Sequence, residues 1–195
     1  MFDWAEPFPA TACISINHEV IHGIPTSKIL LKEGDIVSID LGAYINGFHG
    51  DAARSYVVGK GTKQAHELVD VTRQSFFECL KYAKPGYRIG DISNAVESYA
   101  KSFGFSVVKE FQGHGVGKNL HEAPDIPNYG KSGTGPRLEP GMTLAIEPMI
   151  NAGKEAIDIL DDGWTVITKD YSLSAHYENT ILITENEPEI LTIIN

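Results

Sequence analysis

Four acidic residues interrupt stretches of the sequence that are otherwise apolar and typical of β-strands. They are Asp40, Asp51, Glu147 and Glu178. A carboxylate buried without a cation costs several kcal/mol, and the Lys and Arg residues near these positions are too few and too scattered to neutralise all four. Divalent metal ions would solve this problem, so we expect the chain to fold around a metal site. The alternative is that each residue lies on a solvated strand face or a sheet edge, where carboxylates are ordinary.

A predicted β-hairpin brings the first two carboxylates together. Strand-like stretches flank Asn46 and Gly47, which form a strong signal for a two-residue turn. With this turn Asp40 lies opposite Ala53, and Asp51 shares the same face of the hairpin. Diagonal neighbours of this kind are about 7–8 Å apart, so two short carboxylates can converge on a pair of ions about 3.5–4 Å apart.

His114 is the candidate nitrogen ligand. It lies in the glycine-rich segment 113–117, where the missing Cβ atoms let other groups approach the imidazole closely. The glycine spacing is not that of a dinucleotide-binding fingerprint, and no Gly-Lys-Ser/Thr follows, so a phosphate-binding loop is disfavoured. Two Asp, two Glu and one His make an oxygen-rich set that suits Mn, Fe(II), Co or Zn, and the sequence does not decide among these ions.

The rest of the sequence indicates a single α+β domain over residues 1–195. Helices are predicted over residues 63–82 and 89–103, and most other segments read as strands of a largely antiparallel sheet. No run approaches the about 20 apolar residues of a membrane span, and the start lacks a signal-peptide pattern, so we expect a cytoplasmic protein that does not bind membranes. The formal net charge of −10 disfavours nucleic-acid binding, which depends on clustered Lys and Arg.

Eight short motifs follow one another along the chain. They are CISIN at 13–17, HGIP at 22–25, GFHGD at 47–51, GHGVG at 113–117, HEAP at 121–124, AIEPM at 145–149, DGWT at 162–165 and SAHYENT at 174–180. Together they resemble the bacterial-type (type I) methionine aminopeptidases, in the family's order and over almost the whole chain. The resemblance implies the pita-bread fold, in which a pseudo-twofold axis relates two halves around a dinuclear metal centre. It also implies removal of the initiator methionine from peptides and nascent proteins, with a small second residue favoured.

The resemblance implies the same metal ligands that the chemical argument reached. Carried over by motif, the ligands of two divalent ions (Co, Mn, Fe or Zn) are Asp40, Asp51, His114, Glu147 and Glu178. Asp51 and Glu178 are implied to bridge the two ions. Glu147 is also implied to be catalytic, because it can move protons between the attacking water and the leaving amine.

The resemblance implies further residues that contact the substrate. His22 and His121 match two catalytic histidines that are not ligands and that steady the scissile amide and its oxyanion. The implied pocket for the methionine side chain is lined by Phe8, Cys13, Leu120 and Trp164. For Phe8 and Leu120, plain core packing is almost as well supported, because the family usually has other large aromatic residues there.

The chain departs from the family pattern at its start and around its last ligand. Family members carry a leading helical segment before the strand at Cys13, whereas residues 1–12 alone precede it here. The helices that cover the first half are therefore expected to be absent, which predicts either self-association as a homodimer through that uncovered face or low thermal stability. His176 and Asn179 stand where type I enzymes usually place Gln and His.

Two other functions remain open on the sequence. A proline-specific aminopeptidase of the same fold shares the five ligands, although the HGIP and EPM contexts favour the methionine enzymes. A non-catalytic or weakly active pita-bread protein that binds peptides is the alternative from a different class. Such binding modules typically lose ligands, and all five candidate ligands are present here.

Overall fold

A computed structural model describes residues 7–193, so the ends of the predicted domain, residues 1–6 and 194–195, lie outside the described residues. The helices are α1 Lys63–Leu80 and α2 Ile89–Ser102. The strands are β1 Cys13–Ile16, β2 Glu19–Ile21, β3 Ile36–Ile45, β4 Phe48–Val57, β5 Ser106–Val107, β6 Gln112–Gly115, β7 Glu122–Pro127, β8 Thr143–Ile146, β9 Met149–Asn151, β10 Ile157–Ile159, β11 Val166–Thr168, β12 Ser174–His176, β13 Asn179–Leu182 and β14 Glu189–Ile190. Neither described helix is long and apolar enough to cross a membrane.

The strands form four antiparallel sheets. The largest has the order β14-β13-β8-β6-β7, and the three-stranded sheets are β1-β3-β4, β10-β11-β2 and β12-β9-β5. The predicted α+β class with antiparallel pairing is therefore confirmed. Both predicted helices are present, and each ends within two residues of its predicted end.

The β3–β4 hairpin has the predicted turn and register. Ile45 pairs with Phe48, so Asn46 and Gly47 form the two-residue turn, and their φ angles are +53° and +88°. Positive φ at both central residues matches the twist of the flanking strands. Asp40 pairs with Ala53, as the sequence predicts.

Both helices contribute apolar side chains to one core cluster that also includes strands of the largest sheet. The core cluster joins Leu68 and Phe76 of α1 and Ile92 of α2 to Leu144 of β8 and Ile181 of β13. These side chains are fully buried. Burial contributes about 25 cal/mol per Å² of apolar area, so this layer is the main source of stability for the second half of the chain.

The β3–β4 hairpin keeps several large apolar side chains in solvent. Leu41 and Tyr56 are 50% and 55% exposed. With Ile193 and residues of α1 they line a groove of about 640 Å³ on the outer side of the hairpin. Helix α1 lines one side of this groove and neither described helix closes it.

We predict that Gly23→Ala destabilises the first half by about 1–3 kcal/mol, the usual cost of overpacking. A Cβ atom on Gly23 would lie 2.3 Å from the backbone oxygen of Ile14, so the backbone has to move. Two hydrogen bonds would be disturbed, because Ile14 N–H donates to Gly23 O at 2.8 Å and Gly23 N–H donates to Ser15 Oγ at 3.1 Å. Urea unfolding measures the loss.

Gly42→Ala is the matched control, because its Cβ would meet only the flexible tip of Leu120 at 3.6 Å. We expect this variant to unfold close to the unmodified protein. Equal midpoints for the Gly23 and Gly42 variants would contradict the packing argument.

Candidate metal centre

A short backbone ladder joins the first half of the chain to the segment that carries Glu178. Ala53 N–H donates to Glu178 O at 3.3 Å, and Glu178 N–H donates to Ala53 O at 2.9 Å. The Thr180 hydroxyl extends the contact, since Asp51 N–H donates to Thr180 Oγ1 at 2.8 Å and this hydroxyl donates to Asp51 O at 3.0 Å. Asp51 of β4 and Glu178, which precedes β13, are therefore held side by side.

Strand pairing places the other two candidate ligands of the second half beside Glu178. Glu147 follows β8, and Glu178 is placed next to it because Asn179 pairs with Ile146. In β6, His114 pairs with Ala145 on the other side of β8. Three neighbouring strands of one sheet thus deliver His114, Glu147 and Glu178 to one place.

The imidazole of His114 is oriented as a metal ligand would be. Its Nδ1 lies 2.8 Å from Gly115 O, so the Nδ1–H donates to this carbonyl and leaves the Nε2 lone pair free. Nε2 faces Glu147 Oε1 at 3.7 Å and Asp51 Oδ2 at 4.0 Å. A basic nitrogen between two carboxylates is the arrangement that a divalent cation completes.

The donor atoms fit a divalent ion. One ligand atom each from Asp51, His114 and Glu178 lie within 4.8 Å of one another. Among the described residues, Oε1 of Glu178 is buried without a hydrogen-bond partner. Buried polar atoms are normally paired, and a bound ion would supply the partner that this oxygen lacks.

The electrostatics of the centre favour cation binding. Burial raises the pKa of all four carboxyl groups, and for Asp40, Asp51 and Glu178 the charges of neighbouring carboxylates raise it further. Arg54 lowers the pKa of Glu178, but by less than burial raises it. A positive charge placed among these carboxyl groups would therefore stabilise their ionised forms, and bound metal ions would supply it.

A cavity of about 320 Å³ opens beside these groups. Its lining includes four residues that the sequence singled out, and these are His22, His114, His121 and Glu147. The His121 ring lies 4.4 Å from the His114 ring, centre to centre. Burial lowers the pKa of His22 to about 4, and burial also lowers the pKa of His121, so both imidazoles are neutral at pH 7.

Each of the four residues assigned to the methionine pocket has its own neighbours in the structure. Phe8 and Trp164 pack edge to face at 5.3 Å, and Trp164 lies 6.0 Å from the His22 ring. Cys13 pairs with Asp40 across β1 and β3. The tip of Leu120 instead packs near Gly42 of β3.

Sequence reasoning missed Phe111, which lines the cavity and lies 5.9 Å from the His22 ring. The available signal was its position three residues before His114 in the glycine-rich segment. Sequence reasoning also noted His176 only as a departure from the family. Here His176 is 2% exposed, and its Nε2 lies 3.5 Å from Glu147 Oε2.

Comparison with known proteins places the chain among metallopeptidases. The model of metallopeptidase family M24 matches residues 3–185. The chain is 54% identical to the methionine aminopeptidase of Clostridium perfringens, over 96% of this chain and 75% of that protein. It is 51% identical to methionine aminopeptidase 1 of Bacillus subtilis, over 95% and 74%.

Solved structures give the same result. The methionine aminopeptidase of Thermotoga maritima superposes with a TM-score of 0.92 at 51% identity, covering 94% of this chain and 74% of that one. The prolidase of Pyrococcus furiosus superposes with a TM-score of 0.73 at 27% identity, covering 95% and 50%. The pita-bread fold expected from the sequence is thus confirmed.

We predict that the ion-free protein becomes less stable as the pH rises from about 7 to about 8. Its carboxyl groups keep protons in the folded state that the unfolded chain releases near pH 4, so the folded state binds more protons. The free energy of unfolding then falls by up to about 1.4 kcal/mol per pH unit for each such proton. The site histidines do not oppose this slope, because they are neutral in both states above about pH 7.

Thermal unfolding in EDTA measures this slope, and saturating Co²⁺ or Mn²⁺ should raise the melting temperature and remove it, since metal replaces the protons. The double variant Asp51→Asn/Glu178→Gln is the control, with a smaller slope and no response to metal. A melting temperature that rises with pH in EDTA would contradict the assigned burial of these carboxyl groups.

Proposed function

Since the chain belongs to metallopeptidase family M24 and, within it, to the methionine aminopeptidases, we propose that it removes N-terminal methionine at a dinuclear metal centre. The proposed ligands are Asp40, Asp51, His114, Glu147 and Glu178. The observation that carries this proposal is the convergence of Asp51, His114 and Glu178 around the unpaired, buried Oε1 of Glu178. The identity of the ions stays open among Co, Mn, Fe and Zn, all of which suit such a donor set.

Asp51 and Glu178 are the proposed bridging ligands. The ladder between Ala53 and Glu178 and the Thr180 hydroxyl hold the backbones of the two residues side by side, so both carboxylates start from fixed positions. Asp40 lies on the same face of the hairpin as Asp51, which puts it within reach of the second ion. His114 and Glu147 complete the site on the side of the largest sheet.

Divalent ions, when bound, supply Lewis acidity toward the scissile carbonyl and a nucleophile from water at neutral pH. Glu147 is the proposed proton carrier. Its carboxylate lines the cavity, so it can accept a proton from the attacking water and pass it to the leaving amine. This places proton transfer beside the cavity that Glu147 lines.

His121 and His22 are the proposed contacts to the scissile amide. Both line the cavity and, being neutral at pH 7, can each donate one N–H to a developing oxyanion or to the amide. Loss of one such donor typically costs about 10²- to 10³-fold in turnover.

The apolar part of the same cavity is the proposed methionine pocket. Ile21 and Phe111 line it, and Trp164 lies beside it against His22. The residues expected from the sequence, Phe8, Cys13, Leu120 and Trp164, stay assigned to this pocket. A thioether packs well on aromatic rings, which favours methionine over a charged side chain. We propose peptides and nascent chains in the cytoplasm as substrates, with a small second residue favoured and no nucleic acid or membrane partner.

A proline-specific peptidase is the second candidate, because the prolidases share this fold. The 51% identity to the Thermotoga maritima methionine aminopeptidase, against 27% to the Pyrococcus furiosus prolidase, favours the first assignment. The two differ in their substrates. Cleavage of Xaa-Pro peptides with methionine disfavoured would support the second candidate.

We predict that Asp51→Ala loses both bound metal and activity, because it removes a bridging carboxylate. Metal content is measured by mass spectrometry, and release of methionine from Met-Ala-Ser is followed with Co²⁺ or Mn²⁺ added. Met-Leu-Ser should be cleaved more slowly. The matched control is Asp70→Ala, an exposed aspartate of α1, which should keep both properties. Full activity in the Asp51 variant would refute the placement of the centre.

We further propose that the exposed face of the β3–β4 hairpin forms a homodimer. Two copies of a self-complementary apolar patch close into a twofold dimer and remove from water the groove lined by Leu41, Tyr56 and Ile193. If the chain does not self-associate, the same exposed apolar side chains predict a marginally stable monomer.

We predict sedimentation as a dimer at micromolar concentration, or else a low melting temperature. The double variant Leu41→Glu/Tyr56→Glu should sediment as a monomer. Tyr171→Glu, which changes a 70% exposed residue outside this groove, is the control and should sediment like the unmodified protein. An unmodified monomer of ordinary thermal stability would argue against both alternatives.

A further inference from the structure

His176 is a buried imidazole to which the proposed reaction assigns no task. It ends β12, two residues before Glu178, and is 2% exposed. Its Nε2 is shielded from water and has no hydrogen-bond partner in the part of the chain that the structure describes. Unpaired buried polar atoms are rare in folded proteins, because each has given up its bonds to water. This nitrogen therefore needs a physical explanation.

Glu147 lies between two imidazoles. Its Oε1 faces Nε2 of His114 at 3.7 Å, and its Oε2 faces Nε2 of His176 at 3.5 Å. His114 donates through Nδ1 to Gly115 O, so its Nε2 is an acceptor turned toward the proposed ions. The two oxygens of Glu147 thus have different surroundings, one toward the ion and His114 and the other toward His176.

The backbone of His176 is fixed on both sides by one hydroxyl. His176 N–H donates to Ser55 Oγ at 2.9 Å, and the Ser55 hydroxyl donates to His176 O at 2.9 Å. Since the Ser55 proton is used in this way, the Ser38 hydroxyl at 2.6 Å must donate to Ser55 Oγ. The backbone that carries this imidazole is therefore tied to the β3–β4 hairpin, the element that also carries Asp40 and Asp51.

We propose that His176 is a positioning residue, whose Nε2–H donates to Oε2 of Glu147 and fixes the rotation of that carboxylate. When Glu147 is ionised, as a metal ligand would be, an unprotonated Nε2 would repel the carboxylate oxygen that it faces, so the proton then belongs on Nε2. Oε2 keeps a second lone pair, with which it can still exchange a proton with the substrate or water. The role rests on the metal centre and the proton-carrying Glu147 proposed above.

An added metal ligand is the competing role for His176. His176 faces the oxygen of Glu147 that His114 does not, since Oε1 lies toward His114 and Oε2 toward His176. Its nearest anionic atom is Oε2 of Glu147. Support of a ligand from behind, by a hydrogen bond to its outer oxygen, is the usual way in which a metal site is kept in register.

Three variants test the role. His176→Phe removes the donor and keeps a ring, His176→Gln keeps an N–H donor, and His66→Phe changes an exposed histidine of α1 as the control. With saturating Co²⁺ and Met-Ala-Ser, the Phe variant should lose about 10–100-fold in kcat, the usual loss when such a supporting partner is removed, with little change in KM. His176→Gln should keep most of the kcat of the unmodified protein, and His66→Phe should keep all of it.

A second measurement separates positioning from ligation and from misfolding. The nitrogen hyperfine couplings in the electron paramagnetic resonance spectrum of bound Co²⁺ should indicate one coordinated imidazole in both the unmodified protein and His176→Phe, at equal metal content. Loss of an imidazole, or of metal in step with rate, would make His176 a ligand. Unchanged kcat in His176→Phe would also overturn the proposal.

Ser55→Ala covers the case in which the Phe variant fails to fold. It removes the anchor and leaves the ring, so it should lower kcat while metal content is retained, and a normal kcat would count against positioning. The two proposals fail in different ways. An unmodified protein that binds no metal or releases no methionine refutes the proposed function, whereas an active protein with an equally active His176→Phe variant refutes this inference alone.

Discussion

The two backbone hydrogen bonds between Ala53 and Glu178 are the contact on which the rest of the site depends. They attach the β3–β4 hairpin to the segment before β13, and the Thr180 hydroxyl holds Asp51 on the same line. Arg54 reinforces this junction, because its guanidinium donates to Glu178 O and to Asn179 Oδ1 and lies over the Tyr177 ring. A shift of this junction would displace carboxylates from both halves together, so the precision of the centre is set by backbone pairing.

The crowding of carboxyl groups at this junction is a second constraint on the fold. Carboxylates at the junction raise one another's pKa, which a chain with a formal net charge of −10 can relieve only by protonation or by binding cations. Folding and metal uptake are thus coupled through one set of side chains.

Local sequence patterns predicted much of this structure. The two-residue turn at Asn46–Gly47 fixes the register of the hairpin, and this register alone predicts that Asp40 lies opposite Ala53. The helices follow from their apolar periodicity and their ends. The ordered motifs, rather than local physics, assigned His22 and His121. All of these signals lie within a few residues of the group they describe.

Non-local contacts were beyond the same reasoning. The Ser55 hydroxyl donates to the carbonyl oxygen of His176, 121 residues away in the sequence, and no sequence pattern near either residue predicts this hydrogen bond. Phe111 lines the cavity because the segment before β6 lies beside the segment after β2. A pattern of strand residues does not predict that contact. The positions of Phe8 and Leu120 depend on loops, whose paths are set by what they pack against.

The junction between the halves also bears on how long such a protein survives in a cell. An ion held by Asp51 together with Glu178 would bind only when both halves are docked, so it stabilises the folded chain by mass action in proportion to the free ion concentration. Proteases act on chains that open, and the open fraction falls as the ion is supplied. Metal starvation would then shorten the lifetime of the polypeptide as well as silence its chemistry, so that its abundance would track the metal supply of the cell.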